Sequence, residues 1–162
     1  MEKLLQNVYE NKKLSAFLKW VGHISVFGSL VGFCLISYGA FSLSVGSLIK
    51  ALIIMGVPFV LVTLLRHVID LKRPYEVYGF YEEPPKDKKG RSFPSRHAFS
   101  AFVIGTTAVF LYPVVGGVLL LFGILLSVCR VLLGIHFIRD VLCGALIGVA
   151  SALIGVLILA PF

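Results

Sequence analysis

Charged residues are scarce in this chain of 162 residues. Only 14% are Asp, Glu, Lys or Arg, whereas 58% are hydrophobic and the mean hydropathy is +0.96. A soluble globular domain has about 25% charged residues and a smaller apolar fraction. The composition therefore excludes an ordinary soluble domain and predicts an integral membrane protein.

Acidic residues and cysteines are also few. The chain has 8 Asp and Glu against 15 Lys and Arg, a net charge of +7. In a membrane protein such an excess typically reflects the orientation of the loops, so no nucleic-acid partner is expected. Cys34, Cys129 and Cys143 lie in or beside apolar runs without CxxC spacing. They predict buried free thiols rather than a metal site.

Apolar runs of about 20 residues, long enough to cross a bilayer, recur along the chain. They predict an all-α fold, a polytopic membrane helix bundle with about five transmembrane helices in a single membrane domain over 1–162. The spans are expected at about 21–41, 48–66, 96–112, 116–132 and 137–159. Residues 1–19 are too polar to span, and their apolar residues recur at helical spacing. They predict an amphipathic helix in the membrane interface.

With five spans, the strongly polar segments fall on one side of the membrane. These segments are the N-terminal region, 66–97 and 130–139, and 66–97 is predicted to be the active-site loop. Every one of the 15 Lys and Arg except Lys50 lies on this side. The positive-inside rule therefore predicts a cytoplasmic site in a multi-pass protein of the cell membrane. Low alanine with abundant Phe, Ile and Lys is compatible with a bacterial plasma membrane.

Ionisable residues at the ends of membrane spans indicate a functional site. Three clusters stand out: Arg66-(six residues)-Arg73-Pro74, Pro94-Ser95-Arg96-His97, and Cys129-Arg130-(five residues)-His136-(three residues)-Asp140. His136 and Asp140 are four residues apart, so a helix starting here would place them on one face. The carboxylate could then orient the imidazole for attack or proton transfer. Taken alone, the pair fits an interfacial ion pair equally well.

Together the clusters resemble the signature of the type 2 phosphatidic acid phosphatase superfamily, membrane lipid phosphatases related to vanadium haloperoxidases. That signature is Lys-(six)-Arg-Pro, Pro-Ser-X-His and Ser-Arg-(five)-His-(three)-Asp, and the resemblance covers about 66–140. Two positions depart from it. Arg66 replaces lysine, which keeps the charge but changes the donor geometry. Cys129 replaces serine and removes a hydroxyl donor.

The resemblance implies hydrolysis of a lipid phosphate without metal or cofactor. His136, oriented by Asp140, would attack phosphorus and form a phosphohistidine, and His97 would protonate the leaving oxygen. The phosphate would be held by Arg66, Arg73, Ser95, Arg96 and Arg130. Phosphoryl transfer depends on positioning and on stabilising charge on the oxygens, which suits these residue types. Ser95 also fits a helix N-cap, with free N–H groups behind it that favour an anion.

The expected partners are a lipid phosphate substrate and membrane lipids. A cytoplasmic site favours phosphatidylglycerophosphate, phosphatidate or a polyprenyl phosphosugar, whereas a site on the outer face would favour undecaprenyl or another isoprenyl diphosphate. A lipid-phosphate binder or transporter without catalysis is the alternative of another class. The histidines and Asp140 argue against it, because binding needs only the arginines.

Small residues follow the two histidine clusters in steps of four. They are Ala101 and Gly105 after His97, and Gly144, Gly148 and Ala152 after Asp140. Such stripes predict close helix packing, within the chain or between chains.

Overall fold

The computed structural model describes residues 2–79 and 89–162, which form helices and no strand. The helices are α1 (Glu2–Glu10), α2 (Lys12–Leu43), α3 (Val45–Ile69), α4 (Pro74–Tyr78), α5 (Arg96–Leu111), α6 (Pro113–Leu132) and α7 (Ile138–Leu159). Among the described residues, four helical segments are long and apolar enough to cross a membrane, and they contain α2, α3, α6 and α7. The predicted all-α membrane bundle is confirmed.

Helix α5 lies in the middle of the bundle. Its 16 residues span only about 24 Å at 1.5 Å per residue. It packs against α2, α3, α6 and α7, and most of its residues between Ala98 and Ala108 are buried. Protein rather than lipid therefore surrounds this short helix, which is the one that carries His97.

Two side-chain caps set helix boundaries that the hydropathy pattern does not reveal. The Asn11 side chain accepts a hydrogen bond from Leu14 N at 3.1 Å, and Ser44 Oγ accepts one from Ser47 N at 2.9 Å. Such caps satisfy N–H groups that have no acceptor within the helix. The helix expected over 1–19 is thus divided at Asn11, with 12–19 forming the start of α2. The span expected from about residue 48 begins at Val45.

Helix α1 packs against the protein through its apolar side. Leu5 and Val8 are buried, and Val8 belongs to a cluster with Leu18, Cys129 and Leu133. Because Leu133 opens the turn between α6 and α7, α1 lies beneath the segment that carries His136. The rest of α1 is mostly exposed, as an amphipathic helix requires.

The small-residue stripe of α7 faces α5. A Cβ at Gly144 would collide with Ser95 O, and one at Gly148 would lie 2.6 Å from Phe99 O. Ala152 is also fully buried. The stripe therefore serves contacts within the chain, and it brings the first turns of α5 and α7 together.

This packing makes Gly148→Ala a test of the bundle. The added methyl would lie 2.6 Å from Phe99 O and 3.0 Å from Val103 N, both backbone atoms. We expect a loss of about 1–3 kcal/mol in the free energy of unfolding, because such overpacking forces the helices apart. The measurement is Tm in detergent.

Gly117→Ala in α6 is the matched control, because a Cβ there meets nothing within 4 Å. Replacing a helical glycine by alanine without a clash stabilises a protein by up to about 1 kcal/mol. Equal Tm values for the two variants would contradict the close approach of α5 and α7.

Candidate active site

Most ionisable residues of the three sequence clusters line one cavity of about 490 Å³. They are Arg66, Arg73, Arg96, His97, Arg130 and His136. The cavity lies where α3 and α6 end and α5 and α7 begin. Three further cations from outside the clusters, Lys19, Lys89 and Arg91, also line it. Chain segments distant in sequence thus form one basic hollow.

His136 lies in the turn between α6 and α7 and is 2% exposed. Its Nδ1 is 3.4 Å from Ser92 Oγ and 3.7 Å from Asp140 Oδ2. The opposite edge of the ring is therefore the one that can meet a ligand in the cavity. Burial lowers the pKa of His136 below the ordinary value of 6.5, and the Asp140 carboxylate acts in the opposite direction. The lowered pKa favours the neutral ring, the form that a nucleophile needs.

Asp140 lies behind His136, in the first turn of α7, and is completely buried. Its Oδ2 accepts hydrogen bonds from Ser92 Oγ at 2.5 Å and from Phe137 N at 3.0 Å. The start of the helix stabilises this carboxylate through the helix dipole. Asp140 does not line the cavity, so its contact with a ligand is indirect, through the histidine.

Ser95 caps α5 and holds its first turn in place. Its Oγ accepts a hydrogen bond from Ala98 N at 3.4 Å, and its own N–H donates to Asp140 O at 2.9 Å. The side chain is fully buried and does not line the cavity. The structure therefore does not place the Ser95 hydroxyl on the predicted phosphate site. The first-turn N–H groups of Arg96 and His97 have no acceptor within the helix and remain available to an anion.

Arg66 is 5% exposed and is held by the backbone that precedes α5. Its Nη1 donates hydrogen bonds to Ser92 O at 3.3 Å and to Pro94 O. Arg66 also lines the cavity. A planar guanidinium can bridge two carbonyls with one nitrogen and keep its other donors for a ligand, which an ammonium does less well.

Arg73 and Arg130 differ in their hydrogen bonding. Arg73 Nε donates to Gly90 O at 3.0 Å, whereas the buried Nε of Arg130 has no hydrogen-bond partner among the described residues. A buried donor without a partner is unfavourable, so it favours binding of a ligand that can accept a hydrogen bond from it. Arg130 is therefore the donor most clearly left for an anion.

The described ends of the segment 66–97 are tied together. The Glu76 carboxylate accepts hydrogen bonds from Arg73 N at 2.8 Å and from Gly90 N at 2.9 Å. Asp70 Oδ1 accepts one from Arg91 N at 3.0 Å. These contacts place Arg73 and Arg91 at the cavity. Residues 80–88 of the predicted active-site loop lie outside the described residues.

Ser92 is the site residue that the sequence reasoning missed. It is completely buried, and it contacts both Asp140 and His136. A serine near Pro94 carries no signal of its own, because its partner Asp140 lies 48 residues further along the chain. Its position two residues before the Pro-Ser-X-His cluster is the one hint that the sequence offers.

Arg130→Ala should weaken the binding of inorganic phosphate, measured by titration calorimetry on the detergent-solubilised protein. A hydrogen bond to a charged group contributes about 1.5–3 kcal/mol, which predicts a rise in Kd of about 10-fold or more.

Arg139→Ala is the control for that titration. Arg139 is an exposed cation in the first turn of α7. Its Nε lies 3.6 Å from Asp140 Oδ1, but its side chain does not line the cavity. An equal loss of phosphate affinity in both variants would show that net charge, and not the cavity, binds the anion.

Comparisons with known proteins agree with this architecture. A family model described as the PAP2 superfamily matches residues 47–161. The crystal structure of LpxE from Aquifex aeolicus is similar, with a TM-score of 0.69 at 23% identity over 96% of this chain and 92% of that one. The crystal structure of the first transmembrane PAP2 type phosphatidylglycerolphosphate phosphatase from Bacillus subtilis is also similar. Its TM-score is 0.70 at 22% identity over 95% of this chain and 81% of that one. At these identities the likeness concerns the fold. No curated protein matches the chain.

Proposed function

Because the chain belongs to the PAP2 superfamily, we propose that it is a membrane lipid phosphatase that hydrolyses the phosphomonoester of a lipid phosphate. The observation that carries the proposal is the cavity itself. A histidine backed by a buried carboxylate lines one hollow together with a second histidine and several arginines. An anion-binding protein would need the arginines alone.

The proposed reaction has two steps. His136 attacks phosphorus in line, the bond from phosphorus to the lipid oxygen breaks, and His97 donates a proton to that oxygen. Water then attacks the phosphohistidine, His97 takes a proton from it, and inorganic phosphate leaves. Arginines and the first-turn N–H groups of α5 stabilise the charge on the phosphoryl oxygens throughout. Because these cations can supply the neutralisation that Mg²⁺ supplies in kinases, we expect turnover without metal.

His136→Ala should abolish phosphate release from detergent-solubilised lipid phosphates, in the presence of a chelator. With substrate labelled on the phosphate, the wild type should form an acid-labile, base-stable phosphoprotein that the variant lacks. A loss of at least about 10³-fold in kcat is expected when a nucleophile is removed.

His67→Ala is the matched control, because His67 lines the cavity but its Nδ1 bonds Thr63 O in its own helix. It should keep near wild-type turnover. Full activity in His136→Ala would refute the nucleophile. Tight binding of lipid phosphate by the wild type without any release would instead favour the non-catalytic binder.

The charge of the cavity bears on the choice of substrate. Seven cationic side chains line it, from Lys19 in α2 to Arg130 in α6. Among the described residues, none of the seven forms a salt bridge with a carboxylate. A phosphomonoester carries about two negative charges at most. This excess of cations supports a substrate with a second anionic group, such as phosphatidylglycerophosphate, over phosphatidate.

We expect kcat/KM for phosphatidylglycerophosphate to exceed that for phosphatidate of the same acyl composition by about 10-fold at low salt, the value of one added charged contact. The difference should narrow as salt screens the exposed cations. Lys19→Ala should reduce the preference, and Lys50→Ala, at the other end of the bundle, should not. Equal or faster turnover of phosphatidate would refute this choice, and faster turnover of an isoprenyl diphosphate would favour the alternative substrate.

A further inference from the structure

We propose that Ser92 is a positioning residue whose hydroxyl connects Asp140 to His136. This inference rests on the proposed function, in which His136 is the nucleophile. In the simpler arrangement implied by the sequence, the carboxylate alone orients the imidazole. The structure contains a third group, the Ser92 hydroxyl, that lies beside the pair and contacts both.

The distances favour the hydroxyl as the connection. Asp140 Oδ2 is 3.7 Å from His136 Nδ1, beyond the usual range of a hydrogen bond, although it is close enough for electrostatic attraction. Ser92 Oγ is closer to Nδ1, at 3.4 Å, a long hydrogen-bond distance, and it donates to Oδ2 at 2.5 Å. A hydroxyl has one proton and two lone pairs, so it can accept Nδ1–H while it donates to the carboxylate.

Three hydrogen bonds hold the backbone around Ser92 in place. Ser92 N donates to Leu71 O at 2.8 Å, and Ser92 O accepts from Arg66 Nη1. Three residues further on, Ser95 N donates to Asp140 O at 2.9 Å. These contacts, rather than a preference of the serine itself, bring the hydroxyl to the carboxylate.

Burial makes the contact chemically significant. Ser92 and Asp140 are fully buried and His136 nearly so, so water does not compete for these hydrogen bonds and each is stronger than at a surface. With Nδ1 carrying the proton, the other ring nitrogen holds the lone pair that attacks phosphorus. When His136 is phosphorylated it becomes cationic, and the hydroxyl and carboxylate together stabilise that charge.

A double-mutant cycle tests whether Ser92 acts through Asp140. Ser92→Ala should lower kcat by about 10-fold to 100-fold, the effect of one buried hydrogen bond to a charged group. KM and the Kd for inorganic phosphate should stay within about twofold, because Ser92 does not line the cavity. In an Asp140→Asn background, Ser92→Ala should change kcat by less than about twofold. Multiplicative losses would overturn the proposal.

Ser92→Cys separates the hydroxyl from the space it fills. The thiol has a similar size but is a weak donor, so we expect a loss of kcat close to that of Ser92→Ala. Recovery of wild-type kcat by cysteine would show that Ser92 only fills space, and this too would overturn the proposal.

An NMR measurement that needs no turnover tests the Ser92 contact separately from the proposed function. In ¹⁵N-histidine NMR of the detergent-solubilised protein, the His136 signals, assigned by their loss in His136→Gln, should show Nδ1 protonated in the wild type. Ser92→Ala should move the ring toward a mixture of tautomers and leave the His67 signals unchanged. An unchanged His136 spectrum would refute the contact. If the contact is found but no lipid phosphate is hydrolysed, the proposed function is what fails.

Discussion

The site depends on the close contact between the first turns of α5 and α7. Gly144 has no side chain, so the α7 backbone can approach Ser95 O, and Ser95 N reaches Asp140 O at 2.9 Å. A larger residue at 144 would separate the two helix starts. One start carries His97 and the other closely follows His136, so this contact helps to bring the two histidines to one cavity. The small residues of this membrane bundle therefore position the side chains of the site as well as the helices.

A basic cavity at the end of a membrane bundle carries an electrostatic cost, and the structure offsets it unevenly. Asp140 Oδ2 accepts two hydrogen bonds, and Arg66 Nη1 donates to backbone carbonyls. Asp140 Oδ1 has no hydrogen-bond partner among the described residues and lies 3.6 Å from Arg139 Nε. Arg130 keeps a buried donor without a partner in the described part of the chain. Asp140 Oδ2 and Arg66 Nη1 are thus bonded within the protein, while the cavity keeps donors and positive charge that an anion would satisfy. Such an arrangement favours the binding of an anion in the cavity.

The sequence predicts which ionisable residues meet at one end of the bundle, because the spacings within each cluster are local signals. Spacings of four residues and charges at the ends of apolar runs place His97, His136 and four arginines at one face. The sequence predicts a contact less well when the two residues are far apart in the chain, or when only one side chain signals it. Ser92 finds Asp140 only after the chain has folded, and Lys19 reaches the cavity from a helix outside the motif clusters. The Asn11 cap likewise outweighs an amphipathic pattern that continues through it.

The two departures from the family signature are Arg66 and Cys129, and the contacts of each side chain explain how the structure accommodates it. Arg66 keeps the positive charge of the usual lysine, and its planar group also holds the carbonyls of the segment that carries Ser92. Cys129 is 4% exposed, packs with Val8 of α1 and does not line the cavity. A weak donor at that position therefore leaves no gap in the anion site, and its apolar sulfur suits the cluster under α1. Arg66 thus lines the cavity and also holds the backbone that precedes α5, whereas Cys129 lies outside the cavity, where packing decides which residue fits.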